Sequence, residues 1–230
     1  SSIRFVFPVN PITHKESTMA KHRKVIYDST YKGHPINTDI NKGYGCDTRI
    51  LDANKRTIDG SLADSSKVLA IRYDVRFPAT MEIDGSSNEI FTDAQADFCK
   101  HLSRQGLKPK YVAVRERGDS KTPHYHVALF LDGQKTKSAY NHVKKADEIL
   151  ARKLGLDPNR SHGLVYACDV KREGEGKTDA YMLTRNGQDE YQKVFFRCSY
   201  LAKVATKPSD GVRELFVSKR AKKSENQERK

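Results

Sequence analysis

The chain has 230 residues, 37% of them apolar, and carries 42 Lys and Arg against 29 Asp and Glu, a formal net charge of +13. That length and apolar content suffice for a buried core, and such a surplus of positive charge repels itself unless a polyanion neutralises it, so nucleic acid is the expected partner. No apolar run reaches the roughly eighteen residues a membrane-spanning helix needs, which excludes one. The start, Ser1-Ser2-Ile3-Arg4-Phe5-Val6-Phe7-Pro8, is too short for a signal peptide and lacks a small-residue cleavage site, so a cytoplasmic protein is expected.

Residues 1–66 read as a polar leader, punctuated by Gly33, Pro35, Gly43 and Gly45, with a short helix at 47–52. It is either a segment packed on the main domain or a basic arm touching DNA. Ser1 in place of an initiator, and Met19-Ala20-Lys21 further on, are compatible with vector-derived residues at 1–18. Cys46, Cys99, Cys168 and Cys198 are scattered with no Cys-x-x-Cys pair, which points to reduced thiols and neither a zinc ribbon nor a disulfide framework.

Regular structure sharpens at residue 67. Leu69, Ile71, Tyr73, Val75 and Phe77 alternate with Arg72, Asp74 and Arg76, the pattern of a half-buried strand. Thr92-Asp93-Ala94-Gln95 has the form of a capping box; Ala94, Phe98 and Leu102 follow at helical spacing, and Gly106 stops the helix. Residues 111–116 form a second strand, 117–123 a loop and 124–131 a third strand, most simply joined as an antiparallel hairpin. Tyr140, Val143, Ala146, Ile149, Leu150 and Leu154 mark a helix ending at Gly155, and 163–170 suit a fourth strand before a loop at 171–177. Tyr191, Val194, Phe195, Cys198, Leu201, Ala202 and Ala205 predict an amphipathic helix over 188–206, ended by Pro208. Residues 218–230 are a basic tail expected to be disordered. Strands interleaved with helices around an antiparallel hairpin give an α+β fold, a central antiparallel sheet covered on one face by helices.

Two constellations carry chemistry. On a strand, His124 and His126 share a face roughly 7 Å apart, close enough to grip one cation. A register pairing Glu116 with His124 would bring a carboxylate beside them, and two imidazoles with a carboxylate suit Mg, Mn or Zn with positions left open for substrate. A solvated Glu116 paired with Arg115 or Arg117 is the alternative. On the last helix, Lys193, Arg197, Tyr200, Lys203 and Lys207 form a basic stripe around one tyrosine; phosphate would bind there, and the positive charge would favour phenolate, a better nucleophile. A surface tyrosine on a DNA-contacting helix fits the same letters. The Arg72 and Asp74 pair reads as structural or as a DNA contact.

Taken in order, Glu116, His124-Tyr125-His126 and Tyr200-Leu201-Ala202-Lys203 resemble the HUH endonucleases, and with Ile71-Arg72-Tyr73-Asp74-Val75 the chain is most similar to the inovirus gene-two-type rolling-circle initiators over about residues 65–207. The resemblance implies a ferredoxin-like palm at 67–217 with the nucleophile on a C-terminal helix. It further implies a divalent metal on Glu116, His124 and His126, Tyr200 as nucleophile and Lys203 as its phosphate-steadying partner, with Lys193, Arg197 and Lys207 on the DNA. The implied activity is nicking and joining of single-stranded or hairpin origin DNA through a 5′-phosphotyrosine, to start rolling-circle replication of a phage, plasmid or related element; a transposase or relaxase role is the alternative within the family. The chain has no Tyr-x-x-x-Tyr pair, which implies one nucleophile, and no P-loop, so a host helicase and polymerase are expected partners. A nonenzymatic DNA-binding protein fits the charge alone.

Overall fold

The computed structural model describes residues 23–78, 80–81, 83–116, 122–168, 180–204 and 211–218. In chain order the elements are β1 (Val25–Ile26), β2 (Thr30–Tyr31), β3 (His34–Pro35), β4 (Cys46–Asp47), α1 (Thr48–Asp64), β5 (Lys67–Val75), α2 (Glu89–Arg104), β6 (Lys110–Glu116), β7 (His124–Asp132), α3 (Tyr140–Lys153), β8 (Val165–Ala167), β9 (Tyr181–Thr184), α4 (Gln188–Ser199) and β10 (Leu215–Val217). Six strands make one antiparallel sheet in the order β10-β6-β7-β5-β8, with β9 pairing the other half of β5. This is the expected α+β fold with a central antiparallel sheet, of the ferredoxin-like class. None of the helices among the described residues is long and apolar enough to cross a membrane.

The sheet is covered on both faces, not one. Leu69, Ile71, Tyr73 and Val75 of β5, with Tyr125, Val127 and Leu129 of β7, pack on Phe91, Phe98 and Leu102 of α2 and Leu150 of α3. On the opposite face Val68, Ala70, Val112, Val114, Ala128 and Phe130 pack on Ile50 and Ile58 of α1 and on Val194 and Phe195 of α4.

The second layer is hidden in the sequence because α1 buries polar letters. Asn54, Thr57 and Ser61 are buried alongside Ile50 and Ile58. The hydroxyls of Thr57 and Ser61 turn back onto the carbonyls of Ala53 and Thr57, at 2.8 and 2.7 Å, so they cost little inside. The helix begins at Asp47, whose side chain accepts the Arg49 N–H at 2.8 Å, and runs to Asp64 where only 47–52 was expected. Residues 23–66 therefore belong to the core architecture; of the expected leader, 1–22 lie outside the described residues.

Two other helix boundaries move. α2 starts at Glu89 after Asn88, and the Thr92 hydroxyl bonds back to the Glu89 carbonyl at 3.0 Å, so the expected capping box is interior helix. α4 stops at Ser199 and tightens into a 3₁₀ turn over Tyr200–Ala202. What diverts it is pairing with the N-terminal part of the chain: Lys203 bridges Cys46, and the Val204 N–H donates to the Gly45 carbonyl at 3.1 Å. Of the expected strand at 163–170, β8 is extended and 169–170 lie outside the described residues, as do the loops at 117–121 and 171–177 and all but Ser218 of the expected tail.

The edge strand β8 is held by one buried carboxylate. Asp147 of α3 accepts the backbone N–H groups of Leu164 (2.7 Å), Val165 (2.9 Å) and His162 (3.2 Å). Asp147→Ala orphans three donors at once and is expected to lower unfolding free energy by about 2–4 kcal/mol, with Asp147→Asn losing less. Urea denaturation checks this, and an unchanged midpoint for the alanine variant would show that the anchor is immaterial.

Candidate active site

The face that α1 and α4 cover has one end the helices leave to polar side chains. Strand alternation carries the Val68–Ala70 face on to Arg72 and Asp74, the Val112–Val114 face to Glu116, and the Phe130–Ala128 face to His126 and His124. The hairpin register pairs Glu116 with His124 and Val114 with His126, while β5 sets Asp74 opposite His126. This is the register the metal reading required.

His126 is the hub. Its Nδ1 lies 2.5 Å from Asp74 Oδ1 and its Nε2 lies 2.9 Å from Glu116 Oε2, and all three side chains are buried. Burial pulls the imidazole pKa down, but the hydrogen bonds to Asp74 and Glu116 outweigh it and hold it above its ordinary value. Asp74 answers in kind: burial raises its carboxyl, and His126, helped by Arg72, brings it below the usual range. Both shifts favour a charged imidazole between the two carboxylates. His124 is half-buried, and burial, Arg76 and His126 lower its pKa, favouring the neutral form.

Tyr200 closes this cluster from the helix layer. The end of α4 is clamped: Asn54 Nδ2 donates to the Cys198 carbonyl at 2.9 Å, the Asn37 N–H donates to Ser199 Oγ at 2.8 Å, and Ser199 Oγ donates to the Phe196 carbonyl at 2.6 Å. The first and last of these bonds satisfy carbonyls that a helix end leaves without partners, and together the three fix where the next residue points. The Tyr200 ring stands edge-on to His126, centroids 5.6 Å apart, with the Arg72 guanidinium 4.2 Å over its centroid. Lys203 Nζ lies 5.6 Å from the same ring and 3.4 Å over that of Tyr44.

The expected basic stripe around the tyrosine is only partly assembled. Lys193 is exposed, Arg197 lies 5.6 Å over the Tyr181 ring, and Lys207 is outside the described residues. The expectation that positive charge favours phenolate is reversed. Burial raises the Tyr200 pKa and the Glu116 carboxylate adds to the rise, with Arg72 opposing. Of the expected lysines only Lys203 is seen beside the Tyr200 ring among the described residues, while the strands bring the Glu116 and Asp74 carboxylates to the same place. Tyr191, the tyrosine within α4, is buried and donates to Asp59 Oδ1 at 2.7 Å.

Carboxylate oxygen and imidazole nitrogen suit a divalent ion. Glu116 Oε2 and His126 Nε2 stand at about the separation of neighbouring donors on one octahedral ion with ~2.1 Å bonds, once the proton between them has left. Asp74, on the other ring nitrogen, would fix the ring's orientation. Two donors therefore fit. His124 shares their face, yet among the described residues no three His, Cys, Asp or Glu side chains are arranged to hold a metal ion.

Sequence reasoning took Arg72 and Asp74 as a structural pair or a DNA contact and did not place them beside His126. The signal was present in parity: both lie on the site face once β5 is paired antiparallel to β7.

The raised His126 pKa has a consequence in chelator, where no metal competes with the proton. A group whose folded pKa exceeds the unfolded value of about 6.5 stabilises the fold fully below that pH, and the contribution fades as pH rises through the folded value. Wild-type unfolding free energy is expected to fall above pH 6.5 with a slope of up to about 1.4 kcal/mol per pH unit. His126→Asn should flatten that slope; an identical slope in the variant, read by urea unfolding at a series of pH values, would remove His126 as the group responsible.

A family model described as the YagK/YfjJ C-terminal domain matches residues 28–217. Comparison with curated proteins and with solved structures gave no match.

Proposed function

The chain belongs to the YagK/YfjJ C-terminal domain family, and we propose that it nicks and rejoins single-stranded DNA through Tyr200 with the help of a divalent metal, as an initiator of rolling-circle replication. The observation that carries this reading is the placement of one clamped tyrosine ring 5.6 Å from His126, itself held between Asp74 and Glu116. The formal net charge of +13 supports a nucleic-acid substrate.

In this reading the Tyr200 oxygen bonds to phosphorus while the bond to the 3′ oxygen breaks. The phenol gives up its proton and the leaving 3′ oxygen takes one, leaving a 5′-phosphotyrosine and a free 3′-hydroxyl. The ester bond is conserved, so rejoining needs no nucleotide cofactor. Glu116, His124 and His126 would hold Mg, Mn or Zn, which when bound supplies Lewis-acid polarisation of the phosphate oxygens. Asp74 fixes the His126 ring, Lys203 steadies phosphate charge beside the tyrosine, and Arg197, Lys193 and Lys207 hold the flanking strand. Keeping the phenol protonated at rest limits unproductive attack. Phage, plasmid and transposon elements fit this chemistry equally, and unwinding falls to a host helicase and polymerase.

A second reading, a nonenzymatic DNA-binding protein, is favoured by the raised Tyr200 pKa and the incomplete ligand set. Labelled single-stranded DNA with Mn²⁺ separates the two, because only the enzyme becomes covalently labelled. Tyr200→Phe is expected to abolish the adduct on a denaturing gel while leaving DNA affinity within about threefold. An undiminished adduct would point to Tyr181 or Tyr191 and sink Tyr200.

Chelator, or His124→Ala with His126→Ala, is expected to reduce nicking at least 100-fold. Full nicking in chelator would eliminate the metal.

A further inference from the structure

Arg72 is the least satisfied charge of the described site. Its side chain is only 13% exposed and its Nε is buried with no hydrogen-bond partner. The nearest carboxylate oxygen, Asp74 Oδ1, is 3.8 Å from Nη2, beyond hydrogen-bond reach, and is already engaged by His126 at 2.5 Å. The contact it does make, over the Tyr200 ring at 4.2 Å, consumes none of its N–H donors. Arg49 shows how this protein satisfies a structural arginine: Nε and Nη2 reach the Asp47 carboxylate at 3.2 and 2.6 Å, and Nη2 reaches Glu214 at 2.7 Å. Arg185 likewise donates Nε to the Leu62 carbonyl at 3.1 Å.

A mostly buried guanidinium with unfilled donors is unfavourable for folding alone and calls for an acceptor that arrives from outside. The planar fork of donors matches two oxygens of a phosphate. The acceptor must reach the ring of Tyr200, because the guanidinium lies on it.

We propose that Arg72 is a catalytic residue that binds the non-bridging oxygens of the phosphodiester attacked by Tyr200. This rests on the reading of Tyr200 as nucleophile. As the bond from Tyr200 to phosphorus forms and the bond to the 3′ oxygen breaks, Arg72 holds the phosphate charge and exchanges no proton. The chain thereby reads the phosphate from the nucleophile's side of the site.

The full chain is tested as wild type, Arg72→Met, Arg72→Lys and Tyr200→Phe. The first measurement is the Arg72 Nε–H NMR signal, identified by its absence from Arg72→Lys, during titration with thymidine 5′-phosphate in chelator and with thymidine as control. The signal should shift with the phosphate and not with the nucleoside, in wild type and in Tyr200→Phe alike; a signal that stays put overturns the proposal. The second is the adduct rate with Mn²⁺ and single-stranded DNA, expected to fall at least tenfold in Arg72→Met and less in Arg72→Lys; an unchanged rate in Arg72→Met also overturns it. Thermal melting guards against a folding defect: Arg72→Met should remain cooperatively folded with a modest loss of stability, because buried Asp74 loses a neighbouring positive charge, and loss of the folded state would assign Arg72 a structural role. If the wild type forms no adduct at all, the nucleophile reading fails, and with it the catalytic role; the NMR shift then still reports whether Arg72 binds phosphate.

Discussion

The pairing of β6 with β7 is the constraint on which the site depends. A one-residue slip would turn Glu116 to the far face, away from His126. The site residues alone could not enforce the register, because buried charges repay their desolvation poorly. The core does it for them. Val112 and Val114 fill one layer from the same strand face as Glu116, Phe130 and Ala128 fill it from the face of His126, and on the reverse Tyr125 stacks on Phe91 at 3.8 Å. Moving either strand by one position would empty both layers at once. Packing at the apolar end of the hairpin thus sets geometry at its polar end.

With that geometry fixed, electrostatics follows. Two buried carboxylates converge on one imidazole, and such a cluster requires a positive charge. A raised His126 pKa and the neighbouring Arg72 both serve that need, and a divalent ion binding between Glu116 and His126 would have to displace any proton held there. The same carboxylate that favours a cation there raises the Tyr200 pKa. A cation placed beside Glu116 would therefore also be felt by the Tyr200 phenol.

Much of this was legible in the letters. The alternation at β5, the hairpin, the αL glycines after α2 and α3 at φ +69°, and the His-x-His parity all follow from local chemistry. What escaped was tertiary. The layer formed by α1 mixes Ile50, Leu51, Ile58 and Leu62 with buried Asn54, Thr57 and Ser61, so polar letters interrupt its apolar stripe. The two hydroxyls bond back within the helix, and the Asn54 amide N–H donates to α4. The helical period through Leu201 and Ala202 is real burial, but a 3₁₀ turn buries them too, and the letters do not distinguish the two. Arg72 and Asp74 looked like the solvent side of a strand because nothing local says that a second helical layer lies above them.

The clamp at the end of α4 also orders events in time. Cys46 Sγ meets the Ser199 carbonyl across 153 positions of sequence, Gly45 receives the N–H of Val204, and the Tyr44 ring lies under Lys203. Contacts so distant along the chain form late, after the loop between them has closed at an entropic cost. During synthesis the strands carrying Asp74, Glu116 and His126 leave the ribosome well before the tyrosine, whose seat on the early segment is finished only when the last helix arrives. A nascent chain thus holds its acidic and imidazole groups before Tyr200 is positioned, and the two halves of the site meet only on completion.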